Sequence, residues 1–385
     1  MKKVETSIFL VFLGAILISF SYGLFLSIPL FIEHIGGNEA NTGVALSVSG
    51  IGTIAAVLLS KGLFKKISPK FIAALGGGCY FIGSLCFLLV GSAGIYLFIS
   101  MLIIGIGWGF YFNAAPYTLS LFATEKNRVM LFSYLSAFSV LGTGIAPVFI
   151  KQVWGSEINF HCMFFLAALA GLVSLFLFYF VPSKHPSVRA ISHKSNSLSY
   201  ALTGLTIYPI MMVFLGACAF TMMLNFQTTF ANSIEMNYAF FYMTYSLAVV
   251  LSRFILGKRL MQFNQYHLTI ALLVLMTIAL VSFLLAQYGI VFYGVSSALF
   301  GISYGLVYPT IQAAVVNLSS EEYRADVLSY FSLSYFIGVY LFPLLGGILI
   351  VHLGYTSLIV ILGCLSAAEL ALAILLNKKI VKAMR

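Results

Sequence analysis

Apolar residues fill this chain in long runs, each separated from the next by a short polar break. A bilayer core of about 30 Å takes roughly 20 apolar residues per helix. By that measure, runs of spanning length fall at 8–32, 42–60, 71–90, 95–122, 130–150 and 160–181. Six more fall at 204–230, 238–256, 268–286, 289–317, 327–351 and 356–376. The pattern predicts an all-α integral membrane protein of twelve transmembrane helices, six on each side of one long polar stretch, Pro182–Ser199. That stretch carries Lys184, Arg189 and Lys194 among several Ser and His, and it reads as an exposed linker. The expected organisation is an N-terminal six-helix bundle over 1–181, a cytoplasmic linker over 182–203 and a C-terminal bundle over 204–385. Lys2 and Lys3 followed by an apolar run resemble a signal peptide. The run continues past Tyr22 to Ile32 without a small-residue cleavage site, so it is expected to remain as the first span.

The two halves repeat one another. The stretch from Gly105 to Pro147 returns 196 positions later, without a gap, from Gly301 to Pro343. Gly105, Ile106, Gly109, Glu125, Arg128, Ser133, Tyr134, Ser136, Gly142 and Pro147 each meet an identical residue in the second copy. Apolar bias explains a matched Ile, but not Glu, Arg, Ser-Tyr, Gly and Pro in one register. A parallel duplication of a six-helix membrane unit follows, and such repeats build transporters.

Composition agrees and excludes other classes. The chain has 385 residues, of which 61% are hydrophobic and 8% charged, where a soluble domain carries about 25% charged residues. The net charge of +10 could point to nucleic acid, but its placement argues otherwise. With both termini cytoplasmic, Lys151 alone among the 20 Lys and Arg falls on the outer side. That is the positive-inside bias, so the basic residues face anionic headgroups and no nucleic-acid partner is implied. The five cysteines lie inside apolar runs without metal-ligand spacing and read as core residues.

Twelve spans in two parallel halves, with these loops, resemble the major facilitator superfamily. In that family the fifth helix often carries Gly and then Gly-Pro, a pattern associated with exporters that exchange substrate for protons. Here Gly142 and Pro147 keep the pattern, with Ala146 in place of the second Gly and Pro343 as the repeat partner of Pro147. Gly and Ala permit close helix approach and Pro removes a backbone hydrogen bond. The family's loop after the second span usually carries an acid. Here Lys65 takes its place, and in the second copy Arg253 and Gly257 match while the acid is lost. An inverted pair between Lys65 and Asp326 would compensate. The fourth span lacks the family's coupling Arg. Within the superfamily the chain most resembles bacterial efflux permeases of sugars, drugs and small metabolites, including metallophore exporters.

The resemblance implies a substrate site between the halves, along spans one, four, seven and ten. The residues there are Ser19 and Tyr22 in span one, Trp108, Tyr111 and Asn113 in span four, Asn225 and Gln227 in span seven, and Tyr304, Tyr308 and Gln312 in span ten. The last three recur every four residues and share one helix face. An aromatic, amide-rich lining suits a neutral, aromatic or cationic solute. Of the ten acidic residues, only Glu33, at the outer end of span one, and Glu369, within span twelve, lie where a carboxyl can load and release a proton in the membrane. Glu369 can also be a peripheral side chain that snorkels to water.

The expected protein is a proton-coupled exporter of a small organic metabolite or drug-like compound in the inner membrane of a bacterial cell. It is expected to act as a monomer, by alternating access, with no metal or cofactor and the proton gradient as energy source. An importer of the same fold and a non-transporting membrane sensor are the alternatives. No metal-spaced cluster and no Gly-x-Ser-x-Gly element points to an enzyme.

Overall fold

The computed structural model describes residues 2–124, 128–155, 157–182, 197–256, 263–320 and 322–383. Among the described residues every regular element is helical. The first six spans are Glu5–His34, Glu39–Ser60, Pro69–Leu89, Ile95–Ser120, Met130–Trp154 and Phe160–Phe180. The next four are Ile207–Asn225, Tyr238–Ile255, Gln265–Tyr288 and Ile290–Leu318. A final run, Asp326–Lys382, has 57 residues. At 1.5 Å per residue it would extend roughly 85 Å, far more than a bilayer core. Gly354 breaks it with φ 75°. Gly155, with φ 63°, makes the corresponding break between spans five and six. The final run is therefore spans eleven and twelve, and among the described residues the total is the twelve that the apolar pattern predicts.

The chain forms two compact units, Met1–Arg189 and Ala190–Arg385. In the first, span two packs on four, three on four and six, and one on five and six. In the second, eight packs on ten, nine on ten and twelve, and seven on eleven and twelve. The two units thus share one packing pattern. The short helix Ser197–Thr203, inside the stretch read as linker, packs on the second unit's helices.

The repeated glycines sit where helices cross. Gly105 of span four lies against the carbonyl of Ser49 in span two, and a methyl group there would overlap that oxygen. Gly301 does the same in the second unit, where a methyl group would sit 2.6 Å from the Tyr245 carbonyl oxygen. Ser49 and Tyr245 are themselves 196 apart, so the register that matches the sequences also matches the contacts. At the crossing of spans one and five, Gly142 faces the Ile16 carbonyl; between seven and eleven, Gly338 faces Phe214. These partners are 198 apart, so the first and seventh spans align with a two-residue shift. Without a hydrophobic drive between helices in lipid, such close backbone contacts are a main source of association.

Prolines leave carbonyls that other side chains take up. Pro343 lacks the N–H that would bond Val339 one turn earlier, and the Thr221 hydroxyl of span seven donates to that oxygen at 2.7 Å. Pro309 likewise frees Gly305, whose carbonyl accepts from Arg253 Nε at 3.1 Å. At the position of Pro147, the freed Thr143 carbonyl faces Gly23 of span one, against which Ala146 also packs. Thr221 is buried and its hydroxyl also accepts from Asn225. Thr221→Val is expected to lower stability by about 1 kcal/mol, the scale of an interhelical hydrogen bond in membranes. Thr221→Ser should keep it. Unfolding of the two variants in mixed micelles checks this, and equal loss in both would refute the hydroxyl's role.

Candidate solute-binding faces

Span one carries Ser19 and Tyr22 three residues apart, so both face the same neighbours. Tyr22 stacks on Trp108 of span four, with ring centroids 4.2 Å apart and planes inclined by 21°. Trp108 also leans on Tyr111 at 5.3 Å and on Phe112 at 6.4 Å. The Tyr111 hydroxyl bonds the Ser139 hydroxyl of span five at 2.8 Å and reaches Ser19 at 3.5 Å. Three helices of the first unit are thereby joined through one buried phenol. Asn113 donates weakly to the Val57 carbonyl at 3.4 Å.

The second unit builds a related face from different residues. Phe220 of span seven stacks on Tyr304 of span ten at 4.3 Å, with planes only 6° apart. Phe300 and Tyr304 lie 5.8 Å apart along the same helix. The Tyr304 hydroxyl is hydrogen-bonded to Tyr335 of span eleven, which also packs on Tyr308 at 5.2 Å. Gln312, two turns beyond Tyr304, is exposed. Arg253, read from the sequence as a loop residue, belongs to a π-turn at Ser252–Leu256 that ends span eight. Its guanidinium lies within electrostatic reach of Tyr245 and Tyr304.

Two predicted lining residues of span seven are used inside the unit. Gln227 is 1% exposed and its amide donates to the Tyr293 hydroxyl at 2.8 Å. Asn225 donates to the Thr221 carbonyl at 3.0 Å and to its hydroxyl at 3.1 Å. An amide in hydrocarbon takes whichever partner is near, and here both find one in the protein. Residues missed by the sequence reading are Phe220, Ser139 and Tyr335. Phe220 lies 198 positions after Tyr22, so only the two-residue shift between spans one and seven exposes the match. Ser139 and Tyr335 are 196 apart and were within the repeated stretch itself.

The candidate proton carriers differ in setting. Glu33 is exposed. Glu369 is fully buried within the second unit, and neither carboxyl oxygen has a hydrogen-bond partner among the described residues. Its carboxyl rests against Gly216 of span seven, where an added methyl group would lie 3.1 Å from either oxygen. One turn earlier, the Ser366 hydroxyl bonds Thr277 of span nine at 2.9 Å. Glu369 thus points into the packing of spans seven, nine and twelve and does not snorkel. Lys65 is exposed in the first unit and Asp326 is buried in the second, while Gly257 lies outside the described residues.

The family model of the Major Facilitator Superfamily matches residues 8–338 and 273–382. Among curated proteins, none matches the chain in sequence. Solved structures share its fold at low identity. A bacterial homologue of the human lysosomal transporter Spinster superposes with a TM-score of 0.80 at 13% identity, covering 99% of this chain and 98% of that one. The nucleoside transporter NupG gives 0.77 at 16%, covering 97% and 99%. The human organic anion transporter MFSD10 gives 0.68 at 13%, covering 96% and 99%. With the family model spanning nearly the whole chain and two six-helix units built on one pattern, the protein belongs to the Major Facilitator Superfamily.

Proposed function

We propose that the protein exports a small organic metabolite or drug-like compound across the cytoplasmic membrane in exchange for protons. Transport is the function its family and fold support; direction, coupling and cargo are the added steps. The observation that carries the coupling is Glu369, a carboxyl sealed among three spans with no hydrogen-bond partner among the described residues. A buried ionisable group within a spanning bundle is costly, and function is the usual reason for one. Glu369 would take up one proton as its carboxylate becomes the neutral acid, and release it on the other side of the cycle. Alternating access needs each half to move as a body, and the glycine crossings at Gly105, Gly142, Gly301 and Gly338 give each half that rigidity. The bias of Lys and Arg towards one set of loops supports a cytoplasmic position for both termini.

Export is favoured over import by the Gly142–Ala146–Pro147 element, whose small residues pack on Ile16 and Gly23 of span one. The measurement that decides is untargeted mass spectrometry of cytosol and medium from cells lacking or overproducing the protein. The expected result is a compound that accumulates inside the deletion strain and is depleted from its medium. A compound left in the medium that wild-type cells consume would make the protein an importer. Equal metabolite pools in every strain and growth condition would favour a sensor.

A further inference from the structure

The repeat register makes the two aromatic stacks equivalent. Trp108 and Tyr304 are 196 apart, and Tyr22 and Phe220 follow the 198 register set by the Ile16 and Phe214 contacts. Spans one and four therefore hold the same ring pair as spans seven and ten, at 4.2 and 4.3 Å. All four residues have changed type between the copies, Tyr to Phe and Trp to Tyr, yet all four remain aromatic and stacked. Phe112 and Tyr308 likewise keep a ring at one repeat position, while other neighbouring positions have not been held in this way. Tyr111 has become Val307, and Ser19 has become Ala217. Packing alone does not require a ring at such a position, since Val307 fills the place of Tyr111 with an aliphatic side chain and is buried.

The rings are also not sealed. Tyr22, Trp108, Phe220 and Tyr304 are all half-buried, unlike the fully buried Phe226, Tyr242 and Tyr293 of the core. Among the described residues Tyr22 and Phe220 each have a single ring neighbour, whereas Trp108 and Tyr304 are also backed by Tyr111 and Phe300, so the rings of spans one and seven are the faces a third ring would meet. Stacking of this kind tolerates different heterocycles because each has a π face. Beside each stack stands a polar group suited to ring heteroatoms: the Ser19–Tyr111–Ser139 hydroxyls in one unit, the Tyr304–Tyr335 hydroxyls in the other.

We propose that the Tyr22–Trp108 and Phe220–Tyr304 stacks are equivalent ring-recognition faces, so that the cargo carries a planar unsaturated ring. This rests on the transport reading, and the test separates the two. The chain has two tryptophans, so Trp154→Phe leaves Trp108 as the sole reporter. That variant, as the full chain in lipid nanodiscs, is titrated with purines, pteridines and quinolones, and with saturated controls, a hexose and cyclohexanol. Saturable quenching by members of the planar set and none by the controls is expected. Tyr22→Leu should weaken half-saturation about tenfold, and Tyr22→Phe should preserve it. Tyr304→Trp, placed in a Trp108→Phe, Trp154→Phe background, should report the same compounds from the second unit.

Quenching that is equal for planar and saturated compounds would overturn the proposal, as would Tyr22→Leu and Tyr22→Phe titrating alike. Absence of quenching by the whole planar set would also overturn it. If a saturated cargo nonetheless accumulates in the deletion strain, ring recognition fails while transport stands. If metabolite pools are equal in every strain and growth condition, it is the transport reading that fails.

Discussion

Replacing Gly105 by valine is expected to abolish recovery of folded protein. A side chain there enters the space of the Ser49 carbonyl, which belongs to backbone and cannot rotate away. Gly109, four residues on, meets Thr53 in the same manner, so the pair forms a small-xxx-small seam between spans two and four. Overpacking a core costs about 1–3 kcal/mol when side chains can yield. At a backbone crossing the helices must separate instead, and the Thr53 hydroxyl bond to the Gly105 carbonyl, at 2.9 Å, is lost with them. Gly301→Val should act alike, because its Tyr245 contact is the repeat of the Ser49 contact. Gly62→Ala is the control, since nothing lies within 4 Å of the added methyl group. Monodisperse yield from detergent extracts is the measurement. Gly105→Val at the level of Gly62→Ala would show that the crossing does not hold the unit together.

The second large effect concerns Glu369. Glu369→Gln is expected to reduce flux driven by a pH gradient at least tenfold in proteoliposomes while leaving downhill solute exchange in place. The amide keeps the shape against Gly216 but cannot carry the proton. Glu369→Leu should show the same loss of coupling together with a higher unfolding temperature. Both oxygens lack hydrogen-bond partners among the described residues, so an apolar side chain of similar volume removes a buried polar group without orphaning another. This pairing of lost coupling with gained stability is what a carrier retained for function predicts. Undiminished gradient-driven flux in Glu369→Leu would remove it from the mechanism. Lower stability in that variant would assign the carboxyl a structural role.

The twelve spans, the duplicated unit and the bias of basic residues were all legible in the chain. In a bilayer each helix must satisfy its own backbone, so length and apolarity alone mark a span. Even the merged helix at Asp326–Lys382 had its divider written at Gly354, as Gly155 shows in the other copy. The ungapped stretch from Gly105 to Pro147 also carried the helix crossings, because residues that must be small stay small in both copies.

What the sequence could not decide was which way each side chain faces. In a soluble helix, polarity separates the outer face from the core. In a membrane helix lipid and protein interior are both apolar, and the periodicity that would distinguish them is absent. Thus Gln227 read as a lining residue, and only packing shows it bonded to Tyr293. Arg253 read as a loop charge, and only packing places its guanidinium on the carbonyl that Pro309 frees. Glu369 stood in an apolar run that fits a lipid-facing or a buried side chain equally well. Its burial against Gly216, like the partnership of Tyr22 with Trp108 and of Phe220 with Tyr304, was decided by the rotation of each helix against its neighbours, which the glycine crossings set.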